Sequence, residues 1–213
     1  MITGLHVITD ESYVPGRAHL EVAAAAVAGG AQVVQFRDKT ASGKRLYEIA
    51  LEIRKLTAEA GVTFIVNDRV DVAAAVEADG AHVGQDDLPV QAARRLLGSG
   101  RIVGVSATTV DEALAAAEAG ADYIGFGPIF PTGSKDDAAP PTGLAALREL
   151  TTRTSVPVIA IGGVSAANAS DVMAAGAAGV AVISAVAAQE DMVQATRALA
   201  LAVSGLGNPA ADY

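Results

Sequence analysis

Short apolar runs rich in Val, Ile and Phe alternate along the whole chain with longer segments whose apolar positions recur at the helical period. No linker or low-complexity stretch interrupts the alternation. The runs predict strands over residues 4–9, 33–37, 63–66, 80–83, 102–105, 123–126, 158–161 and 179–183. The segments between and after them predict helices over 17–28, 43–60, 70–78, 89–97, 110–119, 143–152, 166–175 and 185–202. Glycine punctuates several junctions, at Gly29-Gly30, Gly120 and Gly176, where a helix must stop before the next strand begins. Eight units in 213 residues leave about 27 residues for each, close to the minimum for a strand, a crossover helix and two turns. Eight units favour closure over an open doubly wound sheet, which commonly has about five or six strands. The pattern therefore predicts an α/β fold, a single compact (β/α)8 TIM barrel over residues 1–203. Residues 204–213 carry Gly, Asn and Pro without an apolar period and are expected to fray.

Composition narrows the chemistry. The absence of cysteine removes disulfides, thiolate zinc sites, iron–sulfur clusters and cysteine nucleophiles, so any metal must bind oxygen or histidine. The first ten residues have no basic lead-in and no small-residue cleavage site, and read as a first strand and not a signal peptide. Gly and charged residues interrupt every alanine-rich segment before it reaches the roughly 20 apolar residues of a membrane helix. A cytoplasmic protein is expected. A net charge of -9 argues against wide contacts with nucleic acid or anionic membranes. An anionic small molecule would have to be held by a few placed cations and backbone N–H groups.

In a TIM barrel the chemistry sits at the C-terminal ends of the strands, and here those ends are polar. Strand two runs into Gln35, Arg37 and Lys39, whose two cations share one side of an extended segment and could grip a polyanion. An ordinary solvated surface pair is the plainer reading. Strand three runs into Asn67 and Asp68, and strand four into Asp86 and Asp87. Two hard carboxylates on adjacent strand ends suit Mg2+, which takes one or two protein carboxylates and completes its shell with water and substrate phosphate. Helix capping is the alternative for Asp68 and equally for Asp87, which precedes Pro89, and Asp86 rivals Asp87 in either role. Ser106 follows strand five. Gly162-Gly163 after strand seven and Ile183-Ser184 after strand eight fall where this fold often binds phosphate, although a Gly-Gly pair can be only a tight turn. The loop after strand six is long enough to be a lid and carries Thr132, Ser134 and Lys135, or it is simply a solvated loop. His6 in strand one can face the barrel, His19 is expected on a helix surface and His82 lies in strand four. Their spacing makes no metal or triad motif, and none is assigned a catalytic role.

Taken in order, Gln35-Phe36-Arg37-Asp38-Lys39, Val66-Asn67-Asp68-Arg69, His82 to Asp87, Gly104-Val105-Ser106, Asp122 to Pro128, Thr132 to Lys135 and Ala160 to Gly163 resemble the motif set of thiamine phosphate synthases across nearly the whole chain. The resemblance implies a transferase that joins a pyrimidine methyl pyrophosphate to a thiazole phosphate with Mg2+. Gln35, Arg37, Lys39, Asn67, Ser106 and Lys135 would contact the pyrimidine pyrophosphate, with Ser106, Lys135, Arg37 and Lys39 as the catalytic set. Asp68 and Asp87 would hold the metal, which resolves Asp87 over Asp86. Thr132, Ser134, Gly163, Ile183 and Ser184 would meet the thiazole phosphate. A homodimer is a family expectation. Many members carry a histidine after the strand-five serine, whereas Ser106 is followed here by Ala107. The related thiazole tautomerases use a histidine in that region and lack much of the pyrophosphate and metal set, so Ala107 with Asp68, Asp87 and Lys135 favours the synthase. The alternatives are such a tautomerase, another phosphate-handling barrel such as a sugar-phosphate epimerase, and a non-catalytic barrel that binds thiamine phosphates.

Overall fold

The structure, a computed structural model, describes residues 2–133 and 140–205. Eight parallel strands pair in sequence order, and the last pairs with the first to close the barrel. The strands are β1 (Gly4–Thr9), β2 (Val33–Phe36), β3 (Thr63–Asn67), β4 (Gly80–Val83), β5 (Ile102–Ala107), β6 (Tyr123–Phe126), β7 (Val158–Ile161) and β8 (Gly179–Val182). The helices are α1 (His19–Gly29), α2 (Gly43–Ala60), α3 (Val70–Ala75), α4 (Val90–Leu97), α5 (Val110–Glu118), α6 (Gly143–Arg153), α7 (Ala169–Ala174), α8 (Ser184–Ala187) and α9 (Met192–Val203).

Register decides what faces the axis. Paired residues of neighbouring parallel strands point the same way, and alternate residues point inward. Gly104 pairs with His82 on one side and Tyr123 on the other, so all three face the interior. Apolar residues of the same parity, among them Val33, Ile65, Ile159 and Ala181, form an inner cluster with Tyr123. Residues of the opposite parity, such as Val34, Phe64, Val103 and Val180, pack beneath the helices in a larger outer cluster. The alanine-rich helices can therefore lie close to the sheet. Within the barrel, polar side chains replace aliphatic ones toward the C-terminal ends, at Gln35, Asn67, His82 and Ser106.

Several expectations change, and the predicted helix over 70–78 already ends at Ala75. The predicted helix over 185–202 is two helices: α8 ends at Ala187, and the Asp191 carboxylate accepts from the Gln194 amide at 2.9 Å to start α9 afresh. Alanines on both sides of it hide that cap in the sequence, yet the break lets α9 pack against α1 and α7 and complete the outer ring. The predicted helix over 166–175 begins only at Ala169, because the Asn168 side chain accepts from the Ser165 amide and holds the preceding turn. His19 is not on a surface but is 1% exposed, with its ring edge-on to Phe36. Of the expected frayed tail, residues 206–213 lie outside the described residues. No described helix is long and apolar enough to cross a membrane.

A Cβ on Gly104 would lie 2.2 Å from the Tyr123 ring and 2.6 Å from His82 Nδ1, and both rings are buried. Gly104→Ala should therefore destabilise the fold by about 1–3 kcal/mol in urea unfolding, the usual cost of overpacking. Gly100→Ala, where a Cβ would meet nothing within 4 Å, should stay within about 0.5 kcal/mol of the parent.

Candidate active site

A cavity of about 710 Å3 opens at the C-terminal ends of the strands. Of the residues expected to act, Arg37, Lys39, Asn67, Asp68, Asp87, Ser106, Thr132, Gly163, Ile183 and Ser184 line it. Gln35 lies below, in a chamber of about 30 Å3 inside the barrel that Arg37, Asn67, Ser106 and Ile183 also border. Ser134 and Lys135 lie outside the described residues. Strand ends that are far apart in sequence thus converge because the closed barrel brings them there.

The two described cations are each held by an acid. Arg37 pairs with Asp10 at the end of β1, a residue that the sequence patterns did not single out. Asp10 is 2% exposed and also accepts from the Ser12 amide and hydroxyl and the Tyr13 amide, so the guanidinium is set against a fixed carboxylate. Lys39 Nζ lies 2.6 Å from Asp68 Oδ2, with its side chain 53% exposed. Asp38, between them, turns away from the cavity: it accepts from the amides of Thr40 and Ala41 and meets His19 Nε2 at 3.3 Å. Burial pushes the Asp38 carboxyl up, but these donors outweigh it and hold it below its ordinary range. His19 Nδ1 reaches Thr9 Oγ1 at 2.8 Å, so one buried imidazole ties β1 to the loop that carries both cations.

Neither candidate metal ligand is a helix cap. The position before α3 is Arg69 and that before α4 is Pro89, and neither helix start takes a side-chain hydrogen bond. Asp68 instead adopts φ 60°, a left-handed conformation that non-glycine residues hold mainly where surroundings over-determine them. Asp87 Oδ2 accepts from the Gly84 amide at 2.7 Å. Its carboxyl is pushed up, first by burial and then by adjacent Asp68, against the opposing pull of the Gly84 amide and Lys39. The described cavity lining carries four carboxylates, Asp10, Asp68, Asp86 and Asp87, against Arg37 and Lys39. Among the described residues no three acids or histidines form a self-sufficient metal site. The arrangement fits a hard cation that uses the Asp68–Asp87 pair and takes its other ligands from solvent or a phosphate.

Ser106 Oγ lies 2.8 Å from His82 Nε2, and His82 Nδ1 lies 2.8 Å from the Tyr123 hydroxyl. Burial pushes the Tyr123 phenol far up, so it keeps its proton. His6 is fully buried with both ring nitrogens unpartnered, and burial followed by nearby His82 hold it down to about 3, a neutral imidazole. Gly162 and Gly163 have φ of 93° and 66°, and Cβ atoms there would strike Pro128, Phe130 and Pro131. The tight-turn reading therefore holds, and the same turn lines the cavity. Sequence spacing missed Asp10, His82 and Tyr123. The period-two alternation does place His82 beside Ser106 once the strand register is known.

A family model described as thiamine monophosphate synthase matches residues 5–186. The thiamine-phosphate synthase of Methanocella arvoryzae is 56% identical over 200 residues, covering 94% of this chain and 94% of the relative. That of Chloroflexus aurantiacus is also 56% identical, covering 94% of this chain and 92% of the relative. A solved thiamine phosphate pyrophosphorylase from Pyrococcus furiosus superposes with a TM-score of 0.87 at 40% identity, over 97% of this chain and 98% of the other. With sequence, barrel and cavity in agreement along its whole described length, the chain belongs to the thiamine monophosphate synthase family.

Proposed function

We propose that the cavity joins an aminopyrimidine methyl pyrophosphate to a thiazole phosphate, either the hydroxyethyl form or its carboxylated form, and releases pyrophosphate. The observation that carries this reading is the juxtaposition of Lys39, Asp68 and Asp87 at one side of the cavity, with the Asp87 carboxyl raised by burial and then by Asp68. A surface with more acids than cations repels a polyanion unless the acids recruit a cation. Asp68 and Asp87 would hold Mg2+, which when bound supplies positive charge for the phosphate oxygens.

In the proposed step the methylene C–O bond breaks, its electron pair leaves with pyrophosphate, and the aminopyrimidine ring stabilises the resulting cation. The thiazole nitrogen then forms the new C–N bond with its lone pair. No protein nucleophile is needed in this step. Arg37, Lys39 and Lys135 would neutralise the departing charge, and Ser106 would donate a hydrogen bond to it. Gln35 and Asn67 would orient the pyrimidine from the barrel side, while Thr132, Ser134, Gly163, Ile183 and Ser184 would hold the thiazole phosphate. Holding the two rings together supplies the positioning, and closure of the loop after β6 would keep water from the cation. A cytoplasmic location and a homodimer complete the proposal.

Ser106→Ala and Lys135→Ala should each lower kcat by about a hundredfold, the usual loss for one charge-stabilising donor. Unchanged pyrophosphate release in both would rule out these roles. Asp68→Ala should raise the Mg2+ concentration needed for half-maximal release, with the same dependence as the parent counting against ligation. In metal-free buffer at neutral pH, Asp87→Asn removes the repulsion from Asp68 and should raise Tm by about 2 °C. Mg2+ should raise the Tm of the parent and leave that of Asp87→Asn nearly fixed in a thermal melt.

A further inference from the structure

His82 takes no part in the roles assigned above, yet it stands between two hydroxyls inside the barrel. It is 7% exposed and its ring lies against that of Tyr123, with centroids 5.3 Å apart. Gly104 lies between them on β5, and its missing side chain makes the room in which the two rings meet. Nδ1 faces the Tyr123 hydroxyl and Nε2 faces Ser106 Oγ, each at 2.8 Å.

The order of protons along this chain follows from its buried end. Tyr123 is 1% exposed and retains its proton, so it needs an acceptor. The base that this buried hydroxyl faces is His82 Nδ1, at 2.8 Å. A neutral imidazole that accepts at Nδ1 carries its hydrogen on Nε2 and donates it to Ser106 Oγ. Ser106 then keeps its own hydrogen for the cavity it lines. The reverse order would spend the serine hydrogen on Nε2 and present only lone pairs to an anion.

We propose that His82, fixed by Tyr123 with its hydrogen on Nε2, is a positioning residue that turns the Ser106 hydroxyl outward as a donor to the departing pyrophosphate. The proposal rests on the role given to Ser106 above. It is independent of the absent histidine at Ala107, because His82 reaches Ser106 from the neighbouring strand.

The chain has three histidines, so their ring nitrogens can be resolved by long-range proton–nitrogen NMR on protein labelled with nitrogen-15 histidine. His82 is expected as the Nε2–H tautomer. Tyr123→Phe should populate the other tautomer and lower kcat about tenfold, with KM for the pyrimidine pyrophosphate within about twofold. His82→Gln, whose amide can still donate toward Ser106, should retain about tenfold more turnover than His82→Leu. In a Ser106→Ala background His82→Leu should cause no further loss, because both changes remove one donor. An Nδ1–H tautomer in the parent would overturn the relay without touching the proposed reaction, and needs no variant to fold. Additive losses for Ser106→Ala and His82→Leu would also overturn it. Parent-like turnover by Ser106→Ala beside an Nε2–H tautomer would instead remove the Ser106 role, and the proposal with it.

Discussion

Closure of eight parallel strands in register fixes which side chains can face the axis, and the site depends on that constraint. Once Gly104 pairs with His82 and Tyr123, and Gly125 with Ser106 and Ile159, alternate residues of every strand share one interior. Near the N-terminal ends this interior is filled by Val33, Ile65 and Ile159 with the Tyr123 ring. One step along each strand the same parity delivers Gln35, Asn67 and Ser106, and another step delivers Arg37. A shift of one residue in any strand would send its polar member under the helices and an aliphatic residue into the site. Fold and function are therefore specified by the same alternation.

The second constraint is electrostatic. In a chain of net charge -9, the described cations of the cavity are already engaged by Asp10 and Asp68. These acids keep Arg37 and Lys39 in place without ligand, but they also mean that an arriving pyrophosphate must compete with carboxylates. The Asp68–Asp87 pair removes this conflict if a divalent cation binds with the anion. The Asp87 carboxyl is raised first by burial and then by Asp68, and a cation would relieve the second of these effects. Binding of metal and polyanion is expected to be mutually dependent for this reason.

Strand order, closure and most element ends were legible in the sequence because each unit carries its own apolar period and its own glycine stop. The break within the last predicted helix was not, since alanines recur on both sides of it, in 185–188 and 195–202, and the Asp191 cap carries no distinctive spacing. The strand-end residues of the site were legible because polarity after an apolar run is a local signal. Family resemblance alone favoured Asp87 over Asp86, and the structure adds that the Asp87 carboxylate accepts from the Gly84 amide beside Asp68. Asp10, His19, His82 and Tyr123 went unread for one reason. Each works through a partner at least ten residues away in sequence, so its role exists only after the barrel has closed.

The role proposed for this arrangement is stabilisation of a leaving group. The most direct measurement is to incubate the protein with both substrates and follow thiamine phosphate and pyrophosphate together, with Mg2+ and with the metal removed by chelator. Equal amounts of the two products, formed with Mg2+ and largely lost without it, are expected. Failure to form thiamine phosphate, or formation at the same rate without divalent metal, would contradict the central role given to the Asp68–Asp87 pair.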